Sequence, residues 1–249
     1  MAQNKSINSN MPHIVRTNVF VQNILLLIFL LFSLCLLSGC NGYKFLSIEQ
    51  IEPGTLAQRI GSRTEKVTDL CLSGTLDSSD VVYIENLTNG SDLLTSLDLS
   101  NTKVSLYDHT FAGCMYLKMV KLPQSSTAVN DYMFSDCKKL QTVILPSECT
   151  FIGQETFSDC IRLEEIHFPI SLSYIGINAF KNCTGLEKII SAAPIPPHCE
   201  PSSFNGISPQ CMLIVPKGAT SKYHNAVGWE HFINIIEDKN ADKNKSTQW

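Results

Sequence analysis

The 249-residue chain predicts a right-handed α/β solenoid, with coils stacked so that their strands form one parallel sheet. Three observations carry that expectation. Phe111, Phe134, Phe157 and Phe180 recur every 23 residues. Each is followed three places later by a cysteine (Cys114, Cys137, Cys160, Cys183) and three places later again by a leucine (Leu117, Leu140, Leu163, Leu186). Each unit then closes on an alternating stretch ended by proline: Leu117-x-x-Val120-x-Leu122-Pro123, Leu140-x-x-Val143-x-Leu145-Pro146 and Leu163-x-x-Ile166-x-Phe168-Pro169. A fixed period of about 20 to 29 residues marks stacked coils, none of which buries its apolar face alone.

The first 39 residues are expected to be a lipoprotein signal peptide. Residues 1–23 carry Lys5 and Arg16 and no acid, the apolar run Ile24 to Phe32 follows, and Leu37-Ser38-Gly39-Cys40 closes the segment. A basic region, a short apolar core and small residues before a cleavage point are the marks of an export signal. Val19 to Leu37 is nearly long enough to span a membrane, but the small pair before Cys40 favours cleavage. Leu-Ser-Gly-Cys resembles the lipobox of bacterial lipoproteins, which implies lipidation of Cys40 and a membrane anchor without a span. Residues 40–42 would form the lipidated tether. The formal net charge of −4 argues against nucleic acid, which requires basic patches.

Residues 43–93 read as an N-terminal cap with irregular repeats. A strand-like Tyr43 to Ile48 opens it, Pro53 to Ile60 suggests a short helix, and Ser78-Ser79-Asp80 suggests the capped start of a helix over Val81 to Leu87. Leu70 and Leu72 precede Leu97 and Leu99 by a lengthened 27 residues. Terminal repeats depart from the pattern because they must close an exposed core.

The regular coils occupy 94–191. Leu106, Val129, Ile152 and Ile175 start each coil, five residues before its phenylalanine. Phe-x-x-Cys-x-x-Leu places three residues on one face of a tight helical or 3₁₀ turn. The proline that follows each strand lacks the N–H a continued ladder needs. A degenerate repeat and C-terminal cap are expected over 192–237: Phe204 is spaced at 24, Ile207 replaces cysteine, and Met212 to Val215 ends at Pro216. Tyr223, Trp229, Phe232, Ile235 and Ile236 supply a plug, and the polar residues 238–249 read as a disordered tail.

The unit Ile/Val-x₄-Phe-x-x-Cys-x-x-Leu-x-x-Val-x-Leu-Pro resembles the BspA-like leucine-rich repeat of bacterial surface proteins. Leu72-Ser73-Gly74-Thr75-Leu76 with Leu97-Asp98-Leu99-Ser100 resembles the lead-in of such repeats, and Val215-Pro216-Lys217-Gly218 with Tyr223 and Trp229 their closing segment. The resemblance implies secreted or membrane-anchored proteins, some of them adhesins for host matrix proteins or other cells. Surface-exported lipoproteins often carry acids after the lipidated cysteine, where this chain has Asn41-Gly42-Tyr43-Lys44. Both a surface-exposed and a periplasm-facing position at the outer membrane therefore stay open.

Signals for chemistry are sparse. Phosphate loops, the Gly-x-Ser-x-Gly elbow, His-Glu-x-x-His and Cys-x-x-Cys are all missing, so no catalytic residue, metal or cofactor is assigned. Ladder cysteines point the same way from stacked coils, and a free cysteine packs as a small hydrophobe. Cys199 and Cys211, off the ladder, are the pair to test for a disulfide. Glu164 and Glu165 are adjacent on a strand and should face opposite sides unless a local irregularity turns one. The candidate binding face is therefore the outward strand surface: Asp98, Lys118, Lys121, Gln141, Ile144, Glu164, His167, Glu187 and Ile190. Basic residues are expected toward its first coil and acidic ones toward its third. The expected function is a non-catalytic, monomeric envelope lipoprotein binding a protein or glycan partner through this face. The alternative is an accessory subunit of an envelope complex facing the periplasm.

Overall fold

The computed structural model describes residues 45–90 and 93–238. The signal peptide, Cys40, its tether and all but the first residue of the expected tail lie outside the described residues.

Nine strands form one long sheet: β1 (Phe45–Ile51), β2 (Asp69–Thr75), β3 (Ser96–Lys103), β4 (Met119–Lys121), β6 (Thr142–Ile144), β8 (Glu165–Phe168), β10 (Lys188–Ser191), β12 (Met212–Val215) and β13 (Asn234–Glu237), in that spatial order. All pairings are parallel, and the regular strands pair at the 23-residue period, as in Val120↔Val143↔Ile166↔Ile189. A second sheet joins β5 (Ala128–Val129), β7 (Phe151–Ile152), β9 (Tyr174–Ile175) and β11 (His198–Cys199). Val129, Ile152 and Ile175, which start their coils, are the inward members of these two-residue strands, whereas Leu106 lies outside the sheet and is only partly buried. Cys199 occupies the same column as Val129, Ile152 and Ile175.

The segment after each short strand differs from the helical turn its spacing suggests. It is a run of single turns closed by i→i+3 bonds, such as Cys137 N to Phe134 O (3.2 Å) and Leu140 N to Cys137 O (3.0 Å). Two left-handed residues interrupt any helix in each regular coil. One column holds Gly113, Asp136, Asp159, Asn182 and Gly206, the other His109, Tyr132, Glu155 and Asn178. Glycine, asparagine and aspartate tolerate positive φ, so the first column fits its residue types. The alternation turns N–H groups toward the next coil: Tyr132, Phe134 and Asp136 donate to the carbonyls of Gln154, Thr156 and Ser158 at 2.8–2.9 Å. Hydrogen bonds between coils therefore run along the turn segments as well as along both sheets.

Inside, Phe111, Phe134, Phe157, Phe180 and Phe204 stack with centroids 5.2–5.5 Å apart. All five are fully buried, as are the four ladder cysteines. The thiols also bond between coils. Cys137, Cys160 and Cys183 donate to the carbonyls of Phe111, Phe134 and Phe157 at 3.0–3.1 Å. Cys114 has no earlier phenylalanine and donates to Thr88 Oγ1 instead (3.2 Å). Among the described residues, no buried side-chain nitrogen or oxygen lacks a hydrogen-bond partner.

The N-terminal cap contains α1 (Leu56–Ile60), a 3₁₀ segment (Gly61–Lys66) and α2 (Ser78–Gly90). The residue that caps α2 is Asp77 rather than Ser78 to Asp80: its Oδ1 accepts from the N–H groups of Ser79 and Asp80 (2.9 and 3.1 Å). Asp80 returns the bond by accepting from Asp77 N, and the same carboxylate takes the N–H groups of Gly54 and Leu56 (2.8 and 3.0 Å). One buried acid thus ties the starts of both helices together. Gly74, at φ 120°, lets β1 approach: a Cβ there would lie 2.2 Å from Ile51 N.

At the far end α3 (Thr220–His224) and the buried Tyr223, Trp229 and Phe232 cover the last coil. Trp229 rests on Phe204 and Tyr223, and its indole N–H donates to Pro197 O (3.0 Å). Tyr223 Oη donates to Ala193 O (2.9 Å). Ile235 and Ile236 depart from the expected plug. They belong to β13, which pairs with β12, so Ile235 packs on the core while Ile236 faces out.

Candidate binding face

The outward residues of the long sheet form two register columns. One runs Ser47, Cys71, Asp98, Lys121, Ile144, His167, Ile190, Ile214 and Ile236. The other includes Ser96, Met119, Thr142, Glu165, Lys188, Met212 and Asn234. Period-2 alternation puts these on one surface while Leu97, Val120, Val143, Ile166, Ile189 and Leu213 face the core. Asp98, Lys121, Ile144, His167 and Ile190 thus share a column. Lys118, Gln141, Glu164 and Glu187 lie just before their strands, along the edge of the face.

Charge on this face is compensated locally rather than divided between coils. Lys121 Nζ bonds Asp98 Oδ2 across β3 and β4 (2.8 Å). Glu165 is bonded by Lys188 from the next coil and by His167 on its own strand. Burial pushes the carboxyls of Asp98 and Glu165 up. Hydrogen bonds from Lys121 and Ser100, and from Lys188 and His167, outweigh it and hold both below the ordinary carboxylate range. Glu164 and Glu165 both face solvent, because Glu164 precedes β8 and its bond is to Gln141 Nε2 (3.3 Å). The two carboxylates have separate partners and form no dyad.

The C-terminal part of the face is apolar. Ile190 and Ile214 are half-buried, and Met212 and Ile236 are 38 % and 46 % exposed. Sequence reasoning reached Ile144 and Ile190 but not Met212, Ile214 or Ile236. Counting the period into the degenerate coil would have found Ile214. Ile236 carries no repeat signal.

Other chemistry is limited. All eight described cysteines are free thiols, Cys199 and Cys211 included. Burial pushes Cys149 up to about 11 and Cys199 and Cys211 up to about 12, and it raises Cys160 and Cys183 as well. Thiols held protonated are poor nucleophiles and poor metal ligands. Among the described residues no group of three or more His, Cys, Asp or Glu is arranged to hold a metal. No described helix is long and apolar enough to cross a membrane.

The match to a family model agrees with this repeat geometry. The family model of the BspA type leucine rich repeat region matches six copies over residues 84–206. A leucine rich repeat protein of T. pallidum is similar at 20 % identity, over 68 % of this chain and 71 % of its own, with a TM-score of 0.43. A leucine rich cell surface protein of Faecalibacterium prausnitzii is 25 % identical over 54 % of this chain, which spans only 35 % of that protein (TM-score 0.41). A leucine-rich repeat protein of Bacteroides ovatus is 18 % identical over 70 % of this chain and 55 % of its own (TM-score 0.37). No curated protein matches the chain. Residues 84–206 are thus a BspA type leucine rich repeat region of six copies.

Proposed function

We propose that this protein is a non-catalytic, lipid-anchored envelope protein that binds a protein partner through the long sheet, chiefly over its C-terminal coils. The observation that carries this reading is the apolar stretch of Ile190, Met212, Ile214 and Ile236 in two adjacent columns. An exposed apolar surface rimmed by polar groups suits protein contact. Lys188, Glu165, His167, Glu187 and Asn234 supply the rim, and their local pairing leaves no strong field to select a highly charged ligand. The repeat region points the same way, because stacked repeats of this kind present extended surfaces for partners. Lipidation at Cys40 would hold the domain on its membrane, since two or more acyl chains anchor stably.

The test is capture of envelope proteins by the full chain, compared with Ile190→Asp/Ile214→Asp. Loss of a specific partner with an unchanged melting temperature supports the reading; unchanged capture places the interface elsewhere. Protease shaving of intact cells locates the domain. Cleavage supports an adhesive role at the surface, whereas protection with retained partner capture assigns the accessory role facing the periplasm. Cys40→Ala tests the anchor: a variant that still partitions into membranes at unchanged size rules lipidation out.

A further inference from the structure

The small sheet carries its own outward column, separate from the long-sheet face. Phe151, Tyr174 and His198 occupy it in register, with centroids 5.2 and 5.6 Å apart and rings inclined by 6° and 26°. Upstream the column continues at Ala128, which pairs with Phe151. The row of rings therefore stops one coil short of the sheet edge. One face of Phe151 is covered by Tyr174; on the other side its register partner is Ala128, whose side chain is a single methyl group. Strands in a sheet lie about 4.8 Å apart, so the missing ring leaves a slot one ring spacing wide. Phe151 is 37 % exposed although Tyr174 stacks on it.

The residues that flank Phe151 and Ala128 along their strands carry acceptors. Thr150 spends its hydroxyl proton on Thr127 O (3.1 Å), which leaves the oxygen lone pairs to accept. Asn130 and Asp131 follow β5, and Asp131 accepts from Gln154 N through one carboxylate oxygen (2.7 Å) while the other remains as a further acceptor. An aromatic or aliphatic side chain from a peptide would fill the slot but bring few donors to these groups. A hexopyranose with equatorial hydroxyls brings both parts. Its axial C–H groups suit the electron-rich ring face, and its hydroxyls donate to the acceptors around it. We propose that the Ala128 slot beside Phe151 binds one hexopyranose unit of a β-linked glycan, at a site independent of the long-sheet face.

The test uses the full chain in detergent and two probes, cellotetraose and chitotetraose, with aromatic ¹H–¹³C NMR as the readout. At least one probe is expected to shift the Phe151 ring signals saturably while leaving buried Phe157 unmoved. Ala128→Phe extends the ring row into the slot, so it should cut affinity by about tenfold or more with the melting temperature held or raised. Phe151→Leu should weaken binding similarly. Ile190→Asp/Ile214→Asp should not affect it, which separates this site from the protein-binding face. The proposal is overturned if neither sugar moves Phe151, or if Ala128→Phe binds as the parent does. A response of Phe151 to N-acetyl-tryptophanamide but not to either sugar also overturns it and makes the slot a peptide contact.

Discussion

The third regular coil has a neighbour on each side, whereas the first and last coils each have one side that the repeat itself leaves open. Phe157 is stacked by Phe134 and by Phe180, and Cys160 donates to the coil before while Cys183 bonds back to its own. At the open ends the interior is closed by two different chemistries. The N-terminal end supplies Thr88 as an acceptor for the one ladder thiol without a phenylalanine carbonyl, and two helices tied together by Asp80. The C-terminal end supplies aromatic bulk, with each polar tip bonded to a backbone carbonyl. A repeating interior is directional: its thiols all point toward the previous coil. One end therefore needs an acceptor and the other needs only a surface, which is why Ile207 can replace cysteine in the last coil.

The sharpest contrast comes from truncating one ring in the middle and one at the end. Phe157→Ala and Trp229→Ala should each cost about 3–5 kcal/mol, the range for emptying a buried aromatic site. They should differ in where protection is lost by amide hydrogen exchange. Trp229→Ala is expected to open β11 to β13 first, while Phe157→Ala loosens coils on both sides; equal patterns would deny the cap a separate role. Next in size is the thiol ladder. Cys160→Ala removes a bonded thiol and leaves a small void, for about 1–3 kcal/mol by urea denaturation. Thr88→Val strips the acceptor from Cys114 and should cost about 1 kcal/mol, with the loss confined to the N-terminal coils.

Smaller still is the acid response of the long-sheet face. Asp98 and Glu165 have folded-state carboxyls held below their unfolded range. The unfolded chain therefore binds protons first as pH falls. Their stabilisation is complete above the ordinary carboxylate range and is lost as pH drops through the folded values. Glu165→Gln should flatten that part of the stability–pH curve and leave neutral stability little changed, because both partners are partly exposed. A curve identical to the parent's would show that the pairing with Lys188 has no weight in solution.

The inward columns were legible because each coil repeats the same burial problem at the same spacing. Register followed at once: Asp98, Lys121 and Ile144 fell into one outward column. The turn segments were not legible. Three-residue spacing suits a 3₁₀ turn, but the left-handed residues at Tyr132 and Glu155 carry no propensity for that conformation and are held there by bonds to the next coil. The small sheet escaped for a related reason. A two-residue strand such as Phe151–Ile152 contains no alternation to detect, so its ring column shows only after stacking. β13 and Ile236 were hidden because nothing in Asn234–Glu237 repeats an earlier coil. The apolar part of the binding face was accordingly half found.

The claim on which the rest depends is that the buried cysteines are packing and hydrogen-bonding groups. Native and denatured thiol labelling, mapped by peptide mass spectrometry, tests it directly. Among the described cysteines only half-buried Cys71 should label in the native protein, and slowly, since burial raises its thiol pKa. All eight should label once the chain is denatured without reductant. Native labelling at Cys137, Cys160 or Cys183 would contradict a closed ladder. Failure of Cys199 and Cys211 to label after denaturation would show a disulfide where two free thiols are expected.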